Sequence, residues 1–301
     1  MLARRTLHFS RTEIFWECKN KLACESFPDE IPGRLFREDN FKKTKELDWH
    51  CILRYYTAAK LTYGGDKLVA LSGIAKTFQR VTKDQYLAGM WRRGLESTLC
   101  WRVGLHGSEL DRPSEERVPS WSWASVDGQI YLPPPDPNWE LHIRVVNVSV
   151  ELKGEDCFGQ FLGGILELEC KAILRGMVGD SKDQRVFREH PVAIRKSIVN
   201  LGFCWDCTQY VSMGLHFFIP VESFAGFSVL RGIVIRPTGD RQGQYRRVGV
   251  FYTSYGNSVL SRQNLEKEML EFDTSGATET TSFVEIVSDE NGRKRYVVEI
   301  I

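Results

Sequence analysis

Apolar residues recur along this chain with two different periods. In the first third they fall every third or fourth position. Leu47, Cys51, Tyr55 and Ala59 predict a helix over about 45–60, and Leu68, Leu71, Ala75 and Phe78 predict a second after Gly64-Gly65, with Asp66 as its N-cap. Leu87, Trp91, Leu95 and Leu99 predict a third, with Thr82 and Gln85 set as a capping box. Ahead of these, Thr6–Ser10 and Glu13–Cys18 read as two short strands. A pair of strands is marginal by itself and must lean on other structure.

From about Leu141 the period changes to two. Leu141–Val145 alternates, and Val146–Val150 continues on a shifted phase, which predicts a β-bulge. Further strands are expected at 166–174, 214–221, 227–236 and 245–252, and one helix at Leu265, Met269 and Phe272. The strands 282–287 and 294–301 flank Asn291-Gly292, a hairpin signal. The expected fold class is α+β, a small helical bundle followed by a mainly antiparallel β sheet or barrel. The stiff run Pro133–Pro137 marks the best internal boundary. Three regions follow from these signals: 1–30, 31–130 and 131–301.

Between the two periods stands Val118-Pro-Ser-Trp-Ser-Trp-Ala-Ser-Val-Asp-Gly128. In an extended segment Trp121 and Trp123 share one face, and Asp127-Gly128 would return the chain through Gln129–Tyr131 beside them. Core packing at the joint between the two halves is the first reading of the pair, and an aromatic platform for a ligand is the second.

Composition narrows the function classes. Among 301 residues the formal net charge is +1, which argues against general attraction to nucleic acid or to acidic membranes. No apolar run reaches the length of a signal peptide or a membrane span, so a cytoplasmic protein is expected. The eight cysteines are scattered, as reduced, mostly buried thiols would be. Cys204-Trp-Asp-Cys207 has metal or redox spacing, but no second such pair accompanies it. Cys157, Cys170, His190 and His216 are candidate distant ligands, but nothing in the spacing fixes their geometry, and no zinc is expected. Phosphate-loop, dinucleotide, zinc-protease and nucleophile-elbow motifs do not occur. Arg231, Arg236, Arg241, Arg246 and Arg247 form a loose basic cluster, read as a solvated face or, with Arg236, Arg246 and Arg247, as a candidate anion site. No cofactor and no catalytic residue is assigned.

Five blocks carry a resemblance. They are Leu2–Phe9 with Ile14–Cys18, Leu61–Ala75, Tyr86–Trp91, Pro119–Gly128 and Gly243–Phe251. In sequence and order they resemble the fungal heterokaryon incompatibility (HET) proteins: the tail of the HET domain, then the C-terminal region that accompanies it. The resemblance implies a role in non-self recognition and programmed cell death, with another HET-type protein as candidate partner. The HET domain is similar to the Toll/interleukin-1 receptor class, some of whose members cleave NAD, and its other blocks have no counterpart here. The resemblance thus implies a non-catalytic C-terminal region or truncated form, which alone neither cleaves NAD nor kills a cell. The alternative is a stand-alone ligand-binding β module using the Trp121/Trp123 or arginine surface.

Overall fold

The structure is a computed structural model and describes residues 5–9, 14–18, 21–29, 48–59, 61, 63–104, 113, 116–134, 136–178, 188–194, 197–207, 214–224, 229–253, 267 and 283–301. The chain divides into two compact units, Met1–Asp48 and Trp49–Ile301.

In the first unit, β1 (Arg5–Phe9) and β2 (Ile14–Cys18) pair antiparallel as the alternation predicts, and β3 (Lys21–Cys24) joins the far edge of β2. His8 bonds Glu17 at 2.9 Å, while Leu7 and Phe9 stand exposed.

The second unit opens with α1 (Trp49–Ala58) and α2 (Lys67–Thr82). Leu68, Leu71 and Ala75 of the expected stripe are buried. Asp66 stands at the N-cap position but makes no side-chain capping bond; Gly64–Asp66 forms a 3-10 turn that runs straight into the helix. Among the described residues there is no third long helix and hence no bundle of the expected kind. Thr82 ends α2, and Lys83 closes it at φ 56°. Then β4 (Tyr86–Leu87) and β5 (Met90–Trp91) form a hairpin whose turn, Ala88-Gly89, takes φ of 48° and 95°. Only one helical turn, α3 (Leu95–Thr98), follows. Leu87, Trp91, Leu95 and Leu99 are buried nonetheless. Spacing of four buries a stripe on a helix, but a hairpin plus a turn buries these same residues, and Gly89 permits the left-handed turn that a helix would forbid.

The rest is mostly β. β6 (Arg102–Val103) pairs with β7 (Ile130–Tyr131). The large sheet contains β8 (Trp139–Leu141), β9 (Ile143–Leu152), β10 (Phe161–Cys170), β11 (Leu174–Val178), β12 (Arg188–Ile194), β13 (Ser197–Trp205), β14 (Gly214–Phe224), β15 (Val229–Pro237), β16 (Gln244–Tyr252), β17 (Glu285–Ser288) and β18 (Lys294–Ile300). Its order is β13-β12-β11-β14-β15-β16-β18-β10-β9, and a further β13–β16 pairing closes β11 to β16 into a ring. Every pairing is antiparallel except β16 with β18. The phase shift at Val146 is a bulge: Glu167 faces Asn147 while Leu168 faces Val145. Asn291-Gly292 turns β17 into β18, with Gly292 at φ 73°.

Pro133 lies inside the second unit, where its carbonyl accepts from His50 of α1 at 3.0 Å. Helices and sheet share one buried cluster in which Leu53, Leu71, Trp101, Trp123, Leu166, Phe218 and Val298 are all inaccessible. The expected helix at Leu265–Phe272 lies outside the described residues, apart from Lys267.

Candidate functional site

The Pro-Ser-Trp-Ser-Trp segment is not a strand. Pro119–Ser122 turns, and Trp123–Ser125 forms a 3-10 turn capped by the Ser122 hydroxyl, which accepts from the Ala124 amide at 3.1 Å. Its expected hairpin partner, Ile130–Tyr131, pairs instead with Arg102–Val103. The indoles therefore do not stand side by side as strand neighbours would. Both are fully buried, so neither offers the open face a ligand platform needs. Trp123 donates through Nε1 to the Gly89 carbonyl at 2.7 Å, and Ser122 Oγ donates to the Ala88 carbonyl at 2.5 Å. A Cβ on Gly89 would lie 2.9 Å from Trp123 Nε1, so close approach as well as positive φ requires glycine there. The Trp121 carbonyl accepts from Trp101 Nε1 at 2.9 Å.

Arg247, one of the expected anion-binding arginines, lies at the centre of this cluster with no exposed surface. Its Nη1 donates to both carboxylate oxygens of buried Asp206, at 2.6 and 2.5 Å. Nε donates to the Leu99 carbonyl at 3.1 Å, Nη2 donates to the Trp101 carbonyl, and the guanidinium lies 3.4 Å from the centroid of the Trp101 ring. Its amide donates to Ser120 Oγ at 2.9 Å. Arg246 pairs with Glu116, Arg231 with buried Glu222, and Arg241 with Glu299 at 3.4 Å. Arg236 is exposed, opposite Arg246 across the β15–β16 ladder. Four of the five arginines thus stand in separate ion pairs. The sequence did carry a signal for Arg247: successive strand residues face opposite sides, so an Arg-Arg pair in an otherwise apolar strand points one guanidinium inward.

Cys204-Trp-Asp-Cys207 supplies the other half of that pair. Asp206 is the answering carboxylate, and Trp205 stacks on Phe203 with centroids 5.1 Å apart. Burial pushes the Cys204 thiol up to about 11, away from a reactive thiolate, and Cys207 is buried. Among the described residues no group of three or more His, Cys, Asp or Glu is arranged to hold a metal ion.

A pair that sequence reasoning missed is Ser223 and His142, both buried, with Oγ and Nε2 2.8 Å apart. It has the spacing of a nucleophile and its base, but it is wired the other way. Lys171 Nζ, 3.0 Å from Nδ1, can only donate. Nδ1 is therefore the acceptor, and Nε2 carries the proton and donates to Ser223. Burial, reinforced by the Lys171 charge, lowers the histidine to about 4 and keeps it neutral. The imidazole cannot take the serine proton in this arrangement.

A cavity beside the start of α2 measures about 200 Å³. It is lined by Gly64, Gly65 and Lys67 at the start of α2, by Glu116 and Arg117, and by Lys153 in the β9–β10 turn, with Val118, Phe161 and Leu162 as apolar wall. Lys67 is buried; its ammonium donates to the Val126 carbonyl at 2.5 Å, lies 5.3 Å from the Trp123 ring centroid, and reaches Asp127 only at 3.9 Å. Burial lowers it to about 8, with Asp127 raising it and Arg117 lowering it in part. Arg117 binds Asp127 through both terminal nitrogens, at 3.2 and 2.9 Å, and donates to the Gly64 carbonyl at 2.8 Å.

No protein-family model, curated protein or solved structure matched this chain in comparison. Among the described residues no helix is long and apolar enough to cross a membrane.

Proposed function

We propose that this chain is a non-catalytic C-terminal region of a HET-type protein of fungal non-self recognition and programmed cell death. The observation that supports the reading is spatial. The four resembling blocks of the second unit are far apart in sequence yet meet at one buried cluster. Lys67 of Leu61–Ala75 lies over Trp123, and Ala88 and Gly89 of Tyr86–Trp91 accept from Ser122 and Trp123. Arg247 of Gly243–Phe251 donates its amide to Ser120. Residues that shape one interior together are a coherent set, as the blocks of a single family should be. The alternative, a β module presenting the Trp pair or the arginines to a ligand, has less support: the indoles and Arg247 are buried and Arg246 is paired with Glu116, while Arg236 stands exposed.

The test has two arms. Purified chain assayed for NAD turnover beside an intact HET protein should show none, and its overexpression in a fungal cell should not kill. Co-expressed with an intact HET-type protein, it should change the frequency of cell death. Turnover comparable to the control would overturn the non-catalytic assignment, and an unchanged death frequency would overturn the role in programmed cell death.

A further inference from the structure

We propose that the cavity between the start of α2, the Glu116–Val118 segment and the β9–β10 turn binds a small phosphate-class oxyanion. This goes beyond the HET reading and does not depend on it. Three cations from three separate segments line the cavity: Lys67, Arg117 and Lys153. Glu116 also faces it, but that carboxylate is held by Arg246. Asp127, half exposed, is shared between Arg117 and Lys67 and binds the arginine closely while standing 3.9 Å from the lysine. Among the described residues Lys153 makes no ion pair. The local charge is therefore four cations against two carboxylates.

The placement of Lys67 is the central point. A buried ammonium is costly unless a counter-charge answers it. A carbonyl and an indole face stabilise it without neutralising it. An oxyanion in the cavity would supply the missing charge, with Arg117 beside it and Lys153 at the rim. Gly64 and Gly65 contribute backbone without side chains; a Cβ on Gly64 would meet the Arg117 guanidinium at 2.4 Å, while one on Gly65 would meet nothing within 4 Å. At about 200 Å³ the cavity lies below the range of roughly 300–1,000 Å³ that holds drug-sized ligands, which selects an inorganic or very small esterified anion. The groups facing Lys67 are Asp127 and Arg117, with Glu116 and Lys153 across the cavity and the Tyr56 hydroxyl on its own carbonyl. Burial brings the Lys67 ammonium down to about 8, so its charge is lost as pH rises through that value and anion affinity should fall there.

The experiment titrates inorganic phosphate, glycerol phosphate and acetate into the full chain by calorimetry at constant ionic strength. Phosphate should bind saturably, one per chain, at about pH 7 and about tenfold more weakly at about pH 9.5. Lys153→Gln should weaken it several-fold without changing the melting temperature, and Lys67→Met should abolish it. Lys294→Gln, on an exposed hairpin remote in sequence, should leave it unchanged. If glycerol phosphate binds more tightly, the ligand is an esterified phosphate; if inorganic phosphate does, it is the free ion; both support the site. Absence of saturable binding, tighter binding of acetate, wild-type affinity in Lys153→Gln, or equal weakening by Lys294→Gln would overturn it. Because Lys153 is exposed, its variant keeps the test decisive even if Lys67→Met fails to fold.

Discussion

Replacing Asp206 with alanine should be among the most damaging single changes in this protein. It leaves the Arg247 guanidinium buried, stacked on Trp101 and bonded to two carbonyls, but without its counter-charge. Removing one partner of a buried ion pair costs about 3–5 kcal/mol, because the remaining charge stays desolvated. Arg247→Met should cost a similar amount by a different route, since the Leu99 and Trp101 carbonyls lose donors at about 1–3 kcal/mol each. The double variant Asp206→Leu with Arg247→Met removes both charges and with them the desolvation penalty. It should be no less stable than the worse of the single variants Asp206→Leu and Arg247→Met, giving a coupling energy at least as large as the smaller single effect, about 3–5 kcal/mol. Guanidinium unfolding, followed by tryptophan fluorescence and far-ultraviolet circular dichroism, measures each corner of the cycle. A loss under about 1 kcal/mol in Asp206→Ala, or strictly additive single effects, would refute the argument that this pair is a single buried unit.

Four further outcomes can be checked on the same footing. Trp123→Ala should cost about 3–5 kcal/mol in denaturant unfolding, the range for emptying a large aromatic site. Gly89→Ala should cost more than about 1 kcal/mol, since it forces an L-residue to positive φ against the Trp123 indole. His142 takes up its proton at about 4 when folded and near 6.5 when unfolded, so the unfolded state binds more protons between those values. Stability should fall as pH drops through that window, and His142→Gln should flatten the slope. Lys67 behaves alike at higher pH: its folded value near 8 lies below the unfolded 10.5, so its penalty is present below 8 and relieved as pH rises through 10.5. Unfolding curves of Lys67→Met against wild type over that range should therefore differ by about 3 kcal/mol in how stability changes.

Local periodicity was a good guide wherever one backbone geometry satisfied it. The β strands follow their alternation, the bulge at Val146 follows a phase shift, and the Asn291-Gly292 hairpin follows a turn chemistry with few alternatives. The third helix failed because burial spacing does not specify a backbone. Leu87 and Trp91 reach the core from two strands of a hairpin whose turn includes an alanine at φ 48°, a conformation alanine does not announce. The Trp-Ser-Trp segment failed similarly, since the Ser122 hydroxyl accepts from the Ala124 amide and caps a 3-10 turn in place of an extended strand. Partners were the least legible feature. Asp206 and Arg247 are 41 positions apart, and Lys67, Arg117 and Lys153 line one cavity from three segments distant in sequence. Nothing in spacing along the chain encodes such a meeting.

Two buried cations show how the two ends of this interior differ. Arg247 and Lys67 each lie against a tryptophan, Trp101 and Trp123, within one cluster. Arg247 meets its carboxylate at hydrogen-bond distance, and both groups are shielded from water. Its planar fork also satisfies two carbonyls at once, a geometry a lysine could not reproduce. That end of the interior is electrically closed, and its chemistry is spent on holding strand β16 against the turn after α3. Lys67 has a compact charge, a distant and half-exposed carboxylate, and a cavity beside it. That end is electrically open. The same aromatic cluster therefore anchors the fold through one cation and leaves the other beside the cavity we propose for a small anion. A variant in which Lys67 becomes arginine separates these roles. A guanidinium long enough to reach Asp127 directly would satisfy itself internally, so the protein should retain its stability yet lose affinity for phosphate. Retained affinity with wild-type pH dependence would show that the cavity's charge does not come from Lys67.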